Sequence, residues 1–426
     1  MIKALTPVAS LLLGVAILLT GNGLQGTLLP LRARIEAFDV IAIGALGSAY
    51  FIGFVLGCVA GPYLVRRAGH IRTFAALAAI ASTVVLAHPL ALAPVAWWSL
   101  RAITGFCFAG LYVVIESWLN ERSSNENRGL IMAVYTIVNL TVITLGQMAI
   151  TLYDPSNFAL FSVASILVSL AAVPVALTVA PGPSPLETVR LRPLHLLRLS
   201  PVGFVGSFAV GAANGSFWSL GPVYAADSGL SITGVAVFMS ATVLGGALLQ
   251  WPLGRLSDRM DRRKVIASSC LLAGGAGVAL AFWGTHELAV VLPIAAAFGA
   301  FTFPIYGLCA AHANDFAQRD AFVEMASGLL LVNGMGSVIG PLVASVVMDR
   351  AGPAGLFLVT AAIHGGMATF ALYRLGVRAA VPDKLKPGFV PMPTGSSGAL
   401  HAESRAHAVV EGKVPADPDT GPSPDA

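Results

Sequence analysis

Gly21-Asn22-Gly23-Leu24-Gln25-Gly26-Thr27-Leu28-Leu29-Pro30 is answered 192 residues later by Ala213-Asn214-Gly215-Ser216-Phe217-Trp218-Ser219-Leu220-Gly221-Pro222, with the Asn-Gly pair and the proline in register. Sliding the chain by 192 to 194 residues also lays Gly105, Tyr112, Asn120 and Glu121 on Gly299, Tyr306, Asn314 and Asp315. The same shift lays Val138-Asn139 and Gly146 on Val332-Asn333 and Gly340. Two like halves of one chain are expected to meet at a pseudo-symmetric seam. In repeat-built membrane proteins that seam lies near the bilayer midplane and holds the site.

The chain has 426 residues, of which 56% are hydrophobic and 11% charged, and a mean hydropathy of +0.80. Soluble domains carry about a quarter charged residues, so water is not the intended solvent. Length alone would suggest two or three soluble domains. The apolar runs, however, recur at about the 20 residues a membrane span requires. The net charge of +4 does not imply a nucleic-acid partner, because the basic residues fall in the loops of one side. Cys58, Cys107, Cys270 and Cys309 lie inside apolar segments without paired or metal-like spacing. They read as small core residues. The apolar stretch up to Leu31 is too long for a signal-peptide core and ends in no small-x-small cleavage site, so it reads as a first span.

Twelve helical spans fit, at 7–31, 40–64, 73–93, 95–119, 129–153, 157–180, 202–225, 231–256, 264–284, 288–313, 323–347 and 354–375. Lipid leaves helices or a closed barrel as the only ways to satisfy the backbone. With the amino terminus in the cytoplasm, most Lys and Arg residues fall inside, while the opposite face holds only Arg32, Arg34 and Arg350. That asymmetry predicts a multi-pass inner-membrane (plasma-membrane) protein with both termini cytoplasmic. The expected domains are an N-terminal six-helix bundle at 1–180, a cytoplasmic linker at 181–201, a C-terminal six-helix bundle at 202–378, and a disordered cytoplasmic tail at 379–426. For the linker, a surface-lying amphipathic helix competes with a plain tether, and the tether is the expectation.

Between spans 8 and 9 stands Gly254-Arg255-Leu256-Ser257-Asp258-Arg259-Met260-Asp261-Arg262-Arg263. It resembles the signature loop of the major facilitator superfamily, Gly-x-x-x-Asp-Arg-x-Gly-Arg-Arg, with Asp261 replacing a glycine. The pieces Val114-Ile115-Glu116-Ser117, Leu145-Gly146-Gln147 and Gln250-Trp251-Pro252-Leu253-Gly254 are similar to the YcaD-like branch, mostly transporters of unassigned substrate. The resemblance covers all but the tail. It implies an all-α membrane protein built as two pseudo-symmetric six-helix bundles, and it implies transport by alternating access. It further implies that the loop is a gate. Asp258 would rest against the positive end of a neighbouring helix, span 11 being the expected one, and Arg259, Arg262 and Arg263 would tie the bundles together. The competing reading is a basic loop that merely obeys charge topology.

The matching loop of the first half carries Arg66, Arg67, Gly69 and Arg72, with Arg66 where the family has aspartate. Arginine is electrostatically wrong at a helix N-terminus. Glu116, at the cytoplasmic end of span 4 where the second half has Ala310, is the expected replacement acid, paired with Arg66, Arg67 or Arg128. Its rival role is proton carrier, since ionisable residues inside spans are functional candidates.

Arg101 lies about a third of the way into span 4, in Arg101-Ala102-Ile103-Thr104-Gly105, which resembles the family's Arg-x-x-x-Gly motif. A guanidinium at that depth is costly unless it faces water or a partner. It is therefore expected in a central cavity, holding an anionic group or tuning an acid. The alternative is snorkelling to the outer headgroups beside Trp97 and Trp98 as interface anchors. Fifteen residues separate Arg101 from Glu116, about 22 Å of helix, which excludes a salt bridge. Asn22 and Gln25 on span 1, Asn139 and Gln147 on span 5, Asn214 and Trp218 on span 7 and Asn333 on span 11 complete the expected substrate ring, although each amide could instead only bond neighbouring helices. Lone His312 and His364 read as structural, with a proton role as the alternative.

No Gly-x-Ser-x-Gly, His-Glu-x-x-His, P-loop or Cys-x-x-Cys is present. No enzyme activity, metal or cofactor is expected, and the energy source is expected to be an ion or solute gradient. The resulting expectation is a monomeric, proton-coupled secondary transporter of a small organic solute. A drug or metabolite exporter working by proton antiport, and a non-transporting sensor on the same scaffold, stand as alternatives. Span 5 has Gly146-Gln147 in place of the Gly-Pro motif usual in drug-proton exporters of the family.

Overall fold

A computed structural model describes residues 8–123, 128–177, 193–284, 287–316, 322–379, 381–382, 386 and 388–389. It is helical, with no strand among the described residues. The N-terminal spans are α1 (Ala9–Ile35), α2 (Val40–Ala68), α3 (His70–Ala87, extended by His88–Leu90) and α4 (Pro94–Glu121). They continue with α5 (Arg128–Met148, then Ala149–Leu152) and α6 (Ala159–Leu170 with Ala172–Ala176). The second set is α7 (Pro201–Asp227), α8 (Ile232–Arg259), α9 (Arg262–Trp283) and α10 (Leu288–Thr302 with Pro304–Asn314). It closes with α11 (Phe322–Ala351) and α12 (Gly355–Val377).

Among the described residues, eleven of these helices are long and apolar enough to cross a membrane. The remaining one, α7, is 27 residues long, but Gly, Ser and Asn dilute its hydropathy. Those residues suit a helix wedged inside the molecule, where small side chains and interhelical hydrogen bonds replace lipid contact. Most of α7 is indeed buried.

The duplication read in the sequence reappears in the packing. α1 packs on α5 and α6, as α7 packs on α11 and α12, and α2 packs on α4 as α8 packs on α10. The contacts match residue by residue. Gly53 and Gly105 lie against the backbone of Ala102 and Tyr50, and their repeat mates Gly245 and Gly299 lie against that of Ala296 and Thr242. A Cβ at any of the four would collide with a main-chain carbonyl, so the two helices can touch only through glycine. Helix starts follow the repeat as well. Asp39 caps α2 through Ala42 N–H at 2.5 Å, and Ser231, 192 residues on, caps α8 through Gly234 N–H at 3.1 Å.

The arginines expected on the outer side, Arg32, Arg34 and Arg350, all lie in last turns at the face away from the chain termini. Two expectations change. Pro193–Leu199, in the presumed tether, is a short helix whose Leu196 packs on Ala310, Ala313, Met325 and Leu329, so apolar residues in the linker serve the C-terminal bundle. In the tail, composition suggests disorder over 379–426, yet the Lys386 ammonium donates to Met260 O at 2.7 Å and Phe389 N–H donates to Asp258 at 2.9 Å. The rest of the linker (181–192) and most of the tail lie outside the described residues.

Candidate functional site: the cavity at the seam and its gates

The halves meet where α2 packs on α7 and α11, α1 on α7, and α5 on α8. The contacts that can be named cluster towards the face away from the termini. The Arg34 guanidinium pairs with Asp227 at 3.0 Å, and Ser48 Oγ donates to Val338 O at 2.6 Å. Gly47 abuts Ser219, and Gly44 abuts Ser345. Below them the halves enclose a cavity offering ≈ 190 Å³ to the centres of water molecules. These contacts close its far end.

Asn22, Arg101, Gln147, Asn214, Trp218 and Asn333 all line this cavity. Gln25 and Asn139 do not; both are buried elsewhere. For Gln25 the reason is geometric: three residues turn an α-helix by about 300°, which leaves about 60° between its side chain and Asn22. Asn333 faces the cavity while its amide donates to Ser207 O at 3.1 Å, so the lining and helix-bonding roles coexist in it. Arg101 does not snorkel. Its Cζ lies 4.4 Å from the centre of the Tyr50 ring, and its buried Nη1 has no hydrogen-bond partner. Trp97, offered as an interface anchor, is fully buried and donates to His88 O at 2.9 Å.

Sequence reasoning missed the aromatic wall. Tyr50, Phe51 and Phe54 line it from α2, Tyr112 from α4, and Phe303 and Tyr306 from α10. Phe303 stacks on Trp218 with ring centres 5.6 Å apart and planes 4° from parallel. The signal was present for Tyr112 and Tyr306, which the repeat superposes. Among the described residues, no Asp or Glu lines the cavity.

On the termini face, the α8–α9 loop differs from expectation in whom it ties. Buried Arg262 donates through Nε to Asp315 at 2.9 Å and through Nη1 to Ser257 at 2.8 Å, and pairs with Asp258 at 3.0 Å. Arg263 bonds the backbone carbonyls of Arg374 and Arg378 at 2.7 and 2.8 Å. All these partners belong to the C-terminal half. Among the described residues, these contacts brace the C-terminal bundle. Arg259 is exposed, and Asp258 accepts from Phe389 N–H, whose ring covers Gly254.

The replacement of the family's glycine by Asp261 has a local cause. Its repeat mate Gly69 ends α2 at φ +81°, which favours glycine, whereas Asp261 sits at φ −58°, open to any residue. Its side chain then caps α9 at Arg263 N–H (3.0 Å) and grips the Arg263 guanidinium at 2.6 Å. Burial opposes the charge on Asp261, but the bonds from Arg263 outweigh it and hold the carboxyl below the usual carboxylate range. A depressed folded pKa stabilises above the unfolded value, about 3.9, and the stabilisation is lost as pH falls through the folded one. Asp261→Asn is expected to cost about 1 kcal/mol, with a melting difference that is constant from pH 6 to 8 and vanishes in acid. A difference that persists at pH 3 would count against this account.

In the first half, Arg66, Arg67 and Arg72 are exposed, and none forms an ion pair with Glu116 among the described residues. The Arg128 side chain, the remaining expected partner, lies outside them. Glu116 itself is 2% exposed.

Paired helical bundles around a cavity at their seam are the architecture of a membrane transporter. The Major Facilitator Superfamily model matches residues 11–240 and 203–407, and the chain belongs to that family. An uncharacterized MFS-type transporter of Enterobacter sp. (strain 638) is 28% identical over 361 residues, covering 84% of this chain and 93% of its own. The uncharacterized MFS-type transporter YcaD of Escherichia fergusonii is 26% identical over 359 residues, with the same coverage. Among solved structures, the nucleoside transporter NupG aligns with TM-score 0.72 at 15% identity, covering 85% of this chain and 98% of its own. A bacterial homologue of the lysosomal transporter Spinster aligns with TM-score 0.70 at 14% identity, covering 91% and 99%. At such identities these structures bear on the fold alone. The protein is thus a multi-pass membrane transporter and not an enzyme.

Proposed function

We propose that this transporter moves a small organic solute across the inner membrane by alternating access, as a monomer with both termini cytoplasmic, and that a proton gradient drives it. The observation that carries the reading is the cavity at the seam, sealed at one face by contacts between the halves. Charge topology assigns that face to the outside, so this conformation is the inward-facing one. The cavity groups Arg101, Asn22, Gln147, Asn214, Trp218 and Asn333 bind the solute. The loop residues Gly69 and Gly254, together with Asp258 and Glu116, form the gate when the cytoplasmic ends approach.

The proton-coupling part of the reading rests on Glu116, a buried acid in a protein without a P-loop. Purified protein in liposomes, supplied with a compound library, is expected to accumulate solute only with an imposed pH gradient. Glu116→Gln is expected to abolish that pH dependence if the residue carries protons, and to leak or stall with the dependence intact if it only gates. Equal accumulation with and without the gradient in the unmodified protein would remove proton coupling.

A further inference from the structure

We infer that the solute is a small aromatic anion, held by its acidic group at Arg101 and by its ring on the aromatic wall. The inference rests on the transporter reading and adds the substrate class. Three observations carry it.

The first is charge. Arg101 contributes a guanidinium to the cavity, and among the described residues no carboxylate lines the cavity to balance it. A cation held away from water repels cationic solutes and leaves a neutral solute unable to offset its desolvation. An anion offsets it, and a guanidinium offers a planar fork suited to a carboxylate.

The second is an open donor. Arg101 Nη1 is buried and bonds nothing, while the Tyr50 ring holds the guanidinium from one side at 4.4 Å. A purely structural arginine would spend its donors on protein acceptors, as Arg262 does with Asp315, Ser257 and Asp258. The free donor also argues against Arg101 as a tuner of a cavity acid, since the described lining residues include none.

The third is the wall. Trp218 and Phe303 present a stacked pair to the cavity from the C-terminal half, and Phe51 and Phe54 face it from the other. Flat rings gain offset or edge-on contacts from such a surface beyond their buried area. The unpartnered Gln147 Oε1 and Asn214 Oδ1 accept hydrogen bonds from ring substituents. Grip from both halves is what allows a bound solute to couple to their relative movement.

Isothermal titration calorimetry on the intact protein in detergent tests the class. Indole-3-acetate and benzoate are compared with their neutral amides, with tryptamine and benzylamine, and with butyrate as an anion lacking a ring. The acids are expected to bind at least about tenfold tighter than their amides, equivalent to about 1.4 kcal/mol, and benzoate tighter than butyrate. Arg101→Gln is expected to bring acids and amides level, and Arg101→Lys to keep part of the preference. Trp218→Ala is expected to weaken acid and amide alike without changing their ratio, which separates the wall from the charge. Equal binding of acids and amides, preference for the amines, no binding of either acid, or an acid preference that survives Arg101→Gln would each overturn the inference. The unmodified protein alone decides between the classes should a variant fail to fold. Failure here is distinguishable from failure of the transporter reading, because the movement of the halves can be measured without any solute.

Discussion

Replacing Arg262 with alanine is expected to destabilise the C-terminal bundle by about 3–5 kcal/mol, the largest stability effect of any single side chain discussed here. The guanidinium is fully buried, and the Asp315 side chain it meets at 2.9 Å is only 2% exposed. Removing the cation takes a counter-charge from a buried carboxylate and one bonding partner each from Ser257 Oγ and Asp258, which keep Gly254 O and Phe389 N–H. Breaking a buried pair from one side is far more damaging than replacing both members. Arg262→Met combined with Asp315→Leu is therefore expected to recover much of the loss. Thermal melts of the single and double variants in detergent provide the check. A single-variant loss below about 1 kcal/mol, the range of exposed pairs, would mean that the network adds no more than a surface contact.

A bulky residue at Gly47 is expected to drive the protein out of the conformation described here. Gly47 on α2 abuts Ser219 on α7, and a Cβ alone already collides with the serine side chain. Gly47→Trp therefore cannot keep the outer contacts, whereas the opened state has room for it. Overpacking costs of about 1–3 kcal/mol shift the inward-to-outward ratio by about 5- to 150-fold. Spin labels at positions 34 and 227, whose side chains are 3.0 Å apart in the closed face, are expected to report a longer distance in the Gly47→Trp protein. Thiol reagents added from outside are expected to reach a cysteine placed at Asn22. An unchanged label distance would mean that the two bundles do not rock about this seam.

The architecture was largely legible in the chain. Long apolar runs and the 192-residue echo define twelve spans in two bundles, and each span is present within a few residues of its expected place. Helices run past the hydropathy limits at several charged ends; α8 continues to Arg259 and α11 to Ala351. Hydropathy falls where charged residues gather, but backbone hydrogen bonding continues beyond them. The deep arginine of α4 was legible for the same reason, because a charge at that depth must have a purpose. Partners were not legible. Asp315 appeared only as the repeat mate of Glu121, with nothing local to show that Arg262 would be folded back onto it. Nor did the composition of the tail reveal Phe389 at Asp258, a contact between residues 131 apart.

By itself the sequence determined the solvent, the duplication and the charge topology, because each is a property of residues counted along the chain: hydropathy, period and the placement of Lys and Arg. Only the tertiary structure decided which side of each helix faces the cavity, sending Asn22 and Arg101 in and Gln25 and Asn139 away. It alone gathered Tyr50, Trp218 and Phe303 into one wall and set Arg262 against Asp315 and Arg263 against the end of α12. The physical reason is that these depend on helix rotation and on pairs distant in sequence, which the close packing of glycine-lined helices fixes and no local pattern encodes.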